Sequence, residues 1–167
     1  MKTLETKEVE RNLWKFTHQK LGVYGCFEVT MGLSMMRDHK EIVDYVTYNT
    51  KGEVTCYEIK TSYSDFKSRA RKSFWGNKNY LVVNDDTYNE IFKHGDLTGG
   101  IGLYLYSGNS FTCIHGSSNH QLTVGERVTI IESMVRSMDR EMNKYKHLQT
   151  VLKELNAKMA GISEDKK

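Results

Sequence analysis

The stretch IVDYVTYNTKGEVTCYEIK, at residues 42–60, has the pattern of two β-strands joined by a tight turn. Ile42–Tyr48 and Val54–Lys60 are rich in Ile, Val, Thr and Tyr, which are enriched in strands. The residues 50–52 between them suit a three-residue hairpin loop, because Gly52 accepts the left-handed conformation that such a loop requires. We therefore predict an antiparallel hairpin.

The loop length sets which residues of the hairpin lie opposite each other. With Asn49 paired to Glu53, Asp44 lies opposite Glu58. Because side chains alternate along a strand, one face then carries two carboxylates and an ammonium among apolar residues, namely Ile42, Asp44, Val46, Val54, Cys56, Glu58 and Lys60. Carboxylates buried together repel each other, and a hard divalent cation between them removes that repulsion. The pattern predicts a divalent-metal site on Asp44 and Glu58.

A second interpretation of the same residues involves no metal. Lys60 follows Glu58 by two residues, so both side chains lie on one face of the strand. The ammonium can then neutralise the carboxylate as a partly exposed ion pair at the end of the strand. A Glu-x-Lys pattern within a strand is a weak signal by itself. The residues leave both interpretations open.

The overall composition is that of an ordinary soluble globular protein. The chain has 167 residues, 38% hydrophobic and 27% charged, which is enough for one domain with a core. The net charge of +3 does not by itself indicate nucleic-acid binding. Cys26, Cys56 and Cys113 are widely spaced, which indicates buried free thiols in a reducing compartment. No apolar run is long enough to span a bilayer, so we expect a cytoplasmic protein without membrane contact.

A helix is predicted before the hairpin, at Thr6–Lys20. Thr6 is suited to cap its first turn, and Gly22 follows its end. The residues expected to face inward are Leu13, Trp14, Thr17 and Leu21, with Glu10 one turn earlier on the same stripe.

The remaining elements complete a mixed α/β sandwich with a sheet that is part antiparallel and part parallel. Before the hairpin we predict a strand at Val23–Thr30 and a polar connection at Met31–Glu41. After it we predict a helix from Ser62 or Ser64 to about Lys72 and a parallel strand at Asn79–Asn84. A helix capped by Asp85 and Asp86 and closed by Gly95 follows, and then two strands at Ile101–Tyr106 and Phe111–His115.

A long helix is predicted from Val124 onward. Apolar residues step by three and four through Val128, Ile131, Val135, Met138, Met142 and Tyr145 and, after one slip, through Leu148, Leu152, Leu155 and Met159. A helix of some 35 residues would be about 50 Å long, so its first half should pack on the sheet while its second half folds back or forms a homodimer. The expected organisation is a core at residues 1–123, the helix at 124–160 and a disordered tail at 161–167.

A basic segment follows the hairpin. Between residues 60 and 78 the basic residues Lys60, Lys67, Arg69, Arg71, Lys72 and Lys78 face a single acidic residue, Asp65. Lysines and arginines bind phosphates, and an exposed Trp75 can stack on an unpaired base. These residues therefore predict DNA binding, with a solvated helix face as the alternative.

Asp44 followed by Glu58-Ile59-Lys60, in the order helix, three strands, helix, strand, resembles the PD-(D/E)xK nuclease superfamily. Within it, the run Glu58-Ile59-Lys60-Thr61-Ser62 followed by Asp65-Phe66 is similar to the MmcB-like DNA-repair proteins. The resemblance covers roughly residues 6–84, about half of the chain. It implies a restriction-endonuclease-like αβββαβ core, here with additional strands and a long C-terminal helix.

The resemblance also implies a function. Asp44, Glu58 and Lys60 would be catalytic, with Mg²⁺ or Mn²⁺ held by Asp44, Glu58, Ile59 and Glu10, and with Glu28 competing for the supporting role of Glu10. Lys60 would orient or polarise the attacking water. The expected activity is metal-dependent hydrolysis of DNA in repair, recombination or the processing of phage or plasmid DNA. The alternative is a catalytically silent module of the same fold that binds nucleic acid or a protein.

Overall fold

Six strands form one mixed sheet at the centre of this fold. The computed structural model describes residues 2–31, 41–68, 74–96 and 99–164, with side chains up to residue 159. The elements within these ranges are α1 (Leu4–His18), β1 (Val23–Thr30), β2 (Ile42–Asn49), β3 (Val54–Lys60), α2 (Tyr63–Lys67), β4 (Lys78–Asn84), α3 (Asp85–His94), β5 (Gly102–Ser107), β6 (Ser110–His115) and α4 (Val124–Glu164).

The strands lie in the sheet in chain order, from β1 to β6. β3 pairs in parallel with β4, and β4 with β5, whereas the other neighbours are antiparallel. Because side chains alternate along a strand, Tyr57 and Val82 face α1 while Cys56 and Leu81 face the side of the sheet that α2, α3 and α4 cover. Helices therefore cover both faces, and Glu58 lies on the same face as Cys56.

The hairpin of β2 and β3 has the predicted loop and register. The Asn49 N–H donates to the Glu53 carbonyl at 3.1 Å, and Gly52 adopts a φ of 78°. The ladder pairs run from Tyr48 with Val54 to Tyr45 with Tyr57. The prediction of an antiparallel hairpin at these residues is confirmed.

α1 starts earlier than predicted, and of its predicted inward residues Leu13 is buried while Trp14 and Leu21 are not. Its N-cap is Thr3, whose hydroxyl accepts the N–H of Thr6 at 3.1 Å, so Thr6 lies in the first turn. The prediction of Leu21 as an inward residue was wrong, because the helix ends at His18 and Leu21 is fully exposed beyond it. Trp14 is 47% exposed, since its ring stacks on His18 along the helix surface. The buried residues of the helix are Val9 and Leu13.

Two other helix boundaries also differ from the sequence prediction. Ser62 caps α2 as expected, but α2 ends at Lys67 and not near residue 72. The N-cap of α3 is Asn84, whose side-chain oxygen accepts the Thr87 N–H at 3.0 Å, whereas the two predicted caps at 85 and 86 occupy the first turn. An amide oxygen caps as well as a carboxylate, which is why sequence alone misplaced this start by one residue. The predicted connection at 31–41 lies largely outside the described residues.

α4 packs on the sheet through a face that the apolar pattern did not reveal. Its first part contacts β1, as predicted, but the buried apolar residues there are Ile130 and Met134. Ser133, which lies between them, and Ser137, one turn after Ser133, are also buried. Serine is not counted in an apolar pattern, so the stripe through Val128, Val135 and Met138 was wrongly predicted to face inward and is about half exposed.

α4 is also longer than predicted. It has 41 residues, which corresponds to about 60 Å. Residues 161–164 belong to the helix and not to a disordered tail, and 165–167 lie outside the described residues. None of the helices within the described ranges is both long and apolar enough to cross a membrane.

Gly76, in the turn before β4, provides a test of this packing. A Cβ atom there would lie 2.5 Å from the Lys78 carbonyl oxygen, 2.9 Å from the Val54 carbonyl oxygen and 3.0 Å from the Cys56 nitrogen. These main-chain atoms belong to paired strands and cannot move aside. We expect Gly76→Ala to lower the free energy of unfolding by about 1–3 kcal/mol in urea denaturation. Gly116→Ala, which meets no atom within 4 Å, should change it by less than about 0.5 kcal/mol.

Candidate metal centre

A polar cleft of about 410 Å³ lies where β3 ends, between the start of α1 and the start of α2. Among the residues that line it are Glu10, Asp44, Ile59, Lys60 and Asp65. The fold thus brings together the start of β2, the end of β3 and two helices, although these elements are distant in sequence. Of the residues predicted to form the metal site, Glu58 is the one buried behind the cleft, with 2% of its side chain exposed.

Asp44 is held in place by a main-chain hydrogen bond. Its Oδ2 accepts the Ile59 N–H at 2.8 Å. This bond lies just beyond the last ladder pair, Tyr45 with Tyr57, so the carboxylate takes the position that a strand carbonyl would otherwise occupy. The Asp44 side chain is therefore inserted between the two strands, where it binds the residue after Glu58, and Asp44 does not form a ladder pair with Glu58. Asp44 also lines the cleft.

Lys60 lies between two carboxylates. Its Nζ is 3.8 Å from Glu58 Oε2 and 3.6 Å from Asp65 Oδ2. Only 10% of the Lys60 side chain is exposed, so the ion pair with Glu58 is buried and not partly exposed as the metal-free interpretation assumed. Removing one member of a buried pair leaves an uncompensated charge, which is costly. Lys60 therefore has a structural partner as well as a position at the cleft.

Asp65 is a site residue to which sequence reasoning assigned no role. It lies in the first turn of α2, and its N–H donates to the Ser62 hydroxyl at 3.2 Å. That cap turns the chain directly after Lys60, which brings the Asp65 carboxylate back over the Lys60 ammonium. The few residues between Lys60 and the capped start of α2 were the sequence feature that could have indicated this contact.

Glu10 and Glu28, the two candidates for the supporting carboxylate, both form an ion pair with the same ammonium group. Lys2 forms ion pairs with Glu10 and, at 2.9 Å, with Glu28. Burial acts to lower the pKa of Lys2, but the hydrogen bonds to the two carboxylates outweigh it and the pKa is raised. The hydrogen bond from Lys2 lowers the pKa of Glu28. No sequence pattern pointed to Lys2.

Glu10 and Glu28 differ in how they are positioned. Glu10 projects from α1 into the cleft. Glu28 has a φ of 52°, an unusual conformation for a residue other than glycine, and its carbonyl accepts a hydrogen bond from Arg140 at 3.1 Å. The geometry favours Glu10 as the supporting carboxylate because it lines the same cleft as Asp44.

The donors at the cleft fit a hard cation that keeps part of its water shell. Asp44 offers carboxylate oxygens at the cleft, Glu58 could offer them only from its buried position behind it, and Ile59 can offer only its carbonyl oxygen. Within the described ranges, no group of three or more His, Cys, Asp and Glu side chains is arranged to hold an ion. Mg²⁺ is commonly bound by one or two carboxylates, with waters completing its octahedron. The residues therefore fit Mg²⁺ or Mn²⁺ better than Zn²⁺, which prefers His and Cys.

The residues predicted to bind DNA are only partly described. Arg69, Arg71 and Lys72 lie outside the described residues. Lys67 lies 3.1 Å from the Asp96 carboxylate, and Lys78 lies 3.3 Å from that of Glu53.

Trp75 is not the exposed stacking residue that the sequence predicted. Its ring packs against the buried cluster that contains Val54 and Met134, and its Nε1 donates to Glu41 at 2.7 Å. The apolar ring and the single N–H both find partners in the fold, which is why Trp75 is partly buried.

A larger cleft, of about 620 Å³, lies away from this chemistry. It is mainly apolar, and Trp14, Phe27 and Tyr145 are among its lining residues. Burial raises the pKa of its Cys26 to about 11, which favours the protonated thiol at neutral pH.

The comparisons with known proteins concern the fold. No family model and no curated protein matches this sequence. Among solved structures, a protein of unknown function from Silicibacter pomeroyi is similar, with a TM-score of 0.64 and 16% sequence identity over 89% of this chain and 96% of that chain. At this identity the likeness shows a shared fold alone. The chain has a mixed α/β fold with a six-stranded sheet and a long C-terminal helix within the described residues.

Proposed function

We propose that this chain is a metal-dependent nuclease that hydrolyses DNA phosphodiester bonds. The observation that carries the proposal is the convergence of Asp44 and Lys60 on one polar cleft, with the Glu58 carboxylate directly behind it. The order of α1, β1, β2, β3, α2 and β4 is also the αβββαβ order that the resemblance to PD-(D/E)xK nucleases implies.

The proposed reaction requires a positioned water, neutralisation of the charge that develops on the phosphate, and help for the leaving oxygen. Asp44, Glu58 and the Ile59 carbonyl would hold Mg²⁺, which supplies charge neutralisation and an activated water when bound. Lys60 donates hydrogen bonds to the attacking water or to a phosphate oxygen at the cleft. The Ile59 N–H fixes the orientation of Asp44, and Asp65 helps to hold Lys60.

The second candidate is a module of the same fold that binds nucleic acid or a protein without cleaving anything. One observation favours it: the Lys60 ammonium already neutralises Glu58 in a buried ion pair, an arrangement that is stable without a metal. The two candidates differ in whether DNA is cut when a divalent cation is supplied.

The test is a cleavage assay with the full chain on supercoiled, linear, single-stranded and branched DNA. We expect at least one form to be cut in Mg²⁺ or Mn²⁺ and none in EDTA. Asp44→Asn, purified in the same way, controls for contaminating nucleases, and Glu8→Gln, an exposed change on α1, should cut like the parent. A chain that shifts DNA in gels yet cuts no form with either cation would be the binding module.

A further inference from the structure

A large part of α4 extends beyond the sheet. The residues of α4 that are buried against the sheet end at Ser137. From residue 138 to residue 159 every side chain is exposed except that of Val151, which is half-buried. α4 continues unbroken to Glu164, so within the described residues it does not turn back to cover itself.

This exposed part carries one apolar stripe, which we call the α4 stripe, and its first member, Tyr145, also lines the apolar cleft beside Trp14 and Phe27. Its members are 51% to 70% exposed: Tyr145, Leu148, Leu152, Leu155 and Met159. Their spacing alternates between three and four residues, and Ile162 continues the series in the sequence. This is a heptad pattern with Tyr145, Leu152 and Met159 at a, and Leu148 and Leu155 at d. A contiguous stripe of large apolar side chains is unfavourable in water and marks a packing surface.

We propose that the α4 stripe binds the α4 stripe of a second copy of this chain, as a parallel two-stranded coiled coil. The same patch on both copies is self-complementary about a two-fold axis, which is the commonest symmetry of soluble oligomers. Leucine at successive d positions matches the preference of two-stranded coiled coils.

The residues beside the stripe are compatible with self-pairing. The e positions hold the uncharged Gln149 and Asn156, and the g positions hold Lys144, Val151 and Lys158. In a parallel pair each g residue approaches the e residue of the next heptad on the partner. Each lysine therefore lies opposite an uncharged residue, and no like charges oppose one another. Charged e positions that would select a different helix are absent from the heptads at 145–158.

The pairing has a consequence for the cleft at the end of β3. The stripe of about 18 residues corresponds to about 27 Å of paired helix, and the two globular parts lie at the same end of it. Two candidate sites are then carried by one particle and related by a two-fold axis. This is the arrangement that a cut of both strands or of a junction requires. The pairing itself does not depend on the nuclease proposal.

The test is the mass of the full chain by light scattering over a wide range of concentration. We expect twice the 19.4 kDa of one chain. Lysine at both d positions, in Leu148→Lys/Leu155→Lys, should give a monomer with the parent's circular dichroism for the globular part. Lysine at two outer f positions, in Thr150→Lys/Ala157→Lys, should leave the dimer intact. A monomeric parent, or a d-position variant that remains dimeric, overturns the proposal.

The orientation is tested by cross-linking. Cys113 is the exposed cysteine among the three, so Cys113→Ser removes the competing thiol. In that background Leu155→Cys should form an intermolecular disulfide under mild oxidation, because equivalent d positions face each other only in a parallel pair. A dimer that does not cross-link at residue 155 would overturn the parallel arrangement. Association with a different protein while the purified chain stays monomeric would likewise exclude self-pairing.

Discussion

Asp44→Asn is expected to abolish Mn²⁺ binding and DNA cleavage while the fold stays intact. The asparagine oxygen can still accept the Ile59 N–H, which Asp44 Oδ2 accepts at 2.8 Å, so the strands remain joined at this point. The negative charge that holds a cation is lost. If the bound metal supplies about 4 kcal/mol of transition-state stabilisation, cleavage falls by about a thousandfold. Isothermal titration calorimetry with Mn²⁺ and a cleavage time course measure the two effects.

Two further variants separate binding from folding in this experiment. Asp44→Ala leaves the Ile59 N–H without its side-chain acceptor, so it should lose the metal and also about 1–3 kcal/mol of stability in urea. Glu58→Gln should lose the metal too, because it removes the buried carboxylate behind the cleft. If Asp44→Asn and Glu58→Gln both bind Mn²⁺ with the parent's affinity, the cleft is not a metal site and the nuclease proposal is wrong.

The hairpin could be predicted because local rules determine it. A three-residue loop ending in Gly52 sets the pairing of Tyr48 with Val54, and alternation then sets both faces. That register predicts Asp44 opposite Glu58, whereas the ladder ends one pair earlier, at Tyr45 with Tyr57. The hydrogen bond from Ile59 to Asp44 could not be predicted, because it depends on where the ladder ends, which the sequence does not state.

The parts that could not be predicted depend on partners distant in sequence. The inward face of α4 includes Ser133. Its hydroxyl donates a hydrogen bond to the Thr129 carbonyl at 2.7 Å, so the side chain can be buried like a small apolar residue. Trp75 packs inward because Glu41 accepts its N–H, a contact across more than thirty residues. Lys2 reaches two carboxylates on different elements, and no local pattern encodes that. The periodicity of apolar residues in a sequence predicts which side chains are buried from their polarity alone. A polar side chain can also be buried when its polar groups form hydrogen bonds.

The ion pair of Glu58 and Lys60 is compatible with the metal site that we propose. In the structure Lys60 neutralises Glu58 and also lies within 3.6 Å of Asp65. A cation held by Glu58 and Asp44 would take over the neutralising role at Glu58, and Asp65 would still hold the ammonium. Lys60 would then be able to donate to a water or a phosphate without leaving a buried charge unpaired.

Lys60→Met is therefore expected to reduce the rate of cleavage by about 10²–10³-fold while Mn²⁺ binding is kept or strengthened. Methionine retains the apolar stem of the side chain and removes the positive charge that competes with a cation for Glu58. The loss should appear in kcat, with KM for DNA little changed, because the proposed role of Lys60 is exerted in the transition state. Single-turnover cleavage and calorimetry measure the two quantities.

Lys60→Met is also expected to lower the free energy of unfolding in the absence of metal, because Glu58 loses its buried partner. Unfolding in urea with and without Mn²⁺ should show that the cation restores more stability to Lys60→Met than to the parent. Lys60→Arg keeps a positive charge near Glu58 and Asp65, so this variant should remain folded without metal. It should nevertheless cleave DNA poorly, because the bulkier guanidinium cannot place its donors where the ammonium does. A folded Lys60→Met that cleaves at the parent's rate would show that Lys60 serves only as the structural partner of Glu58.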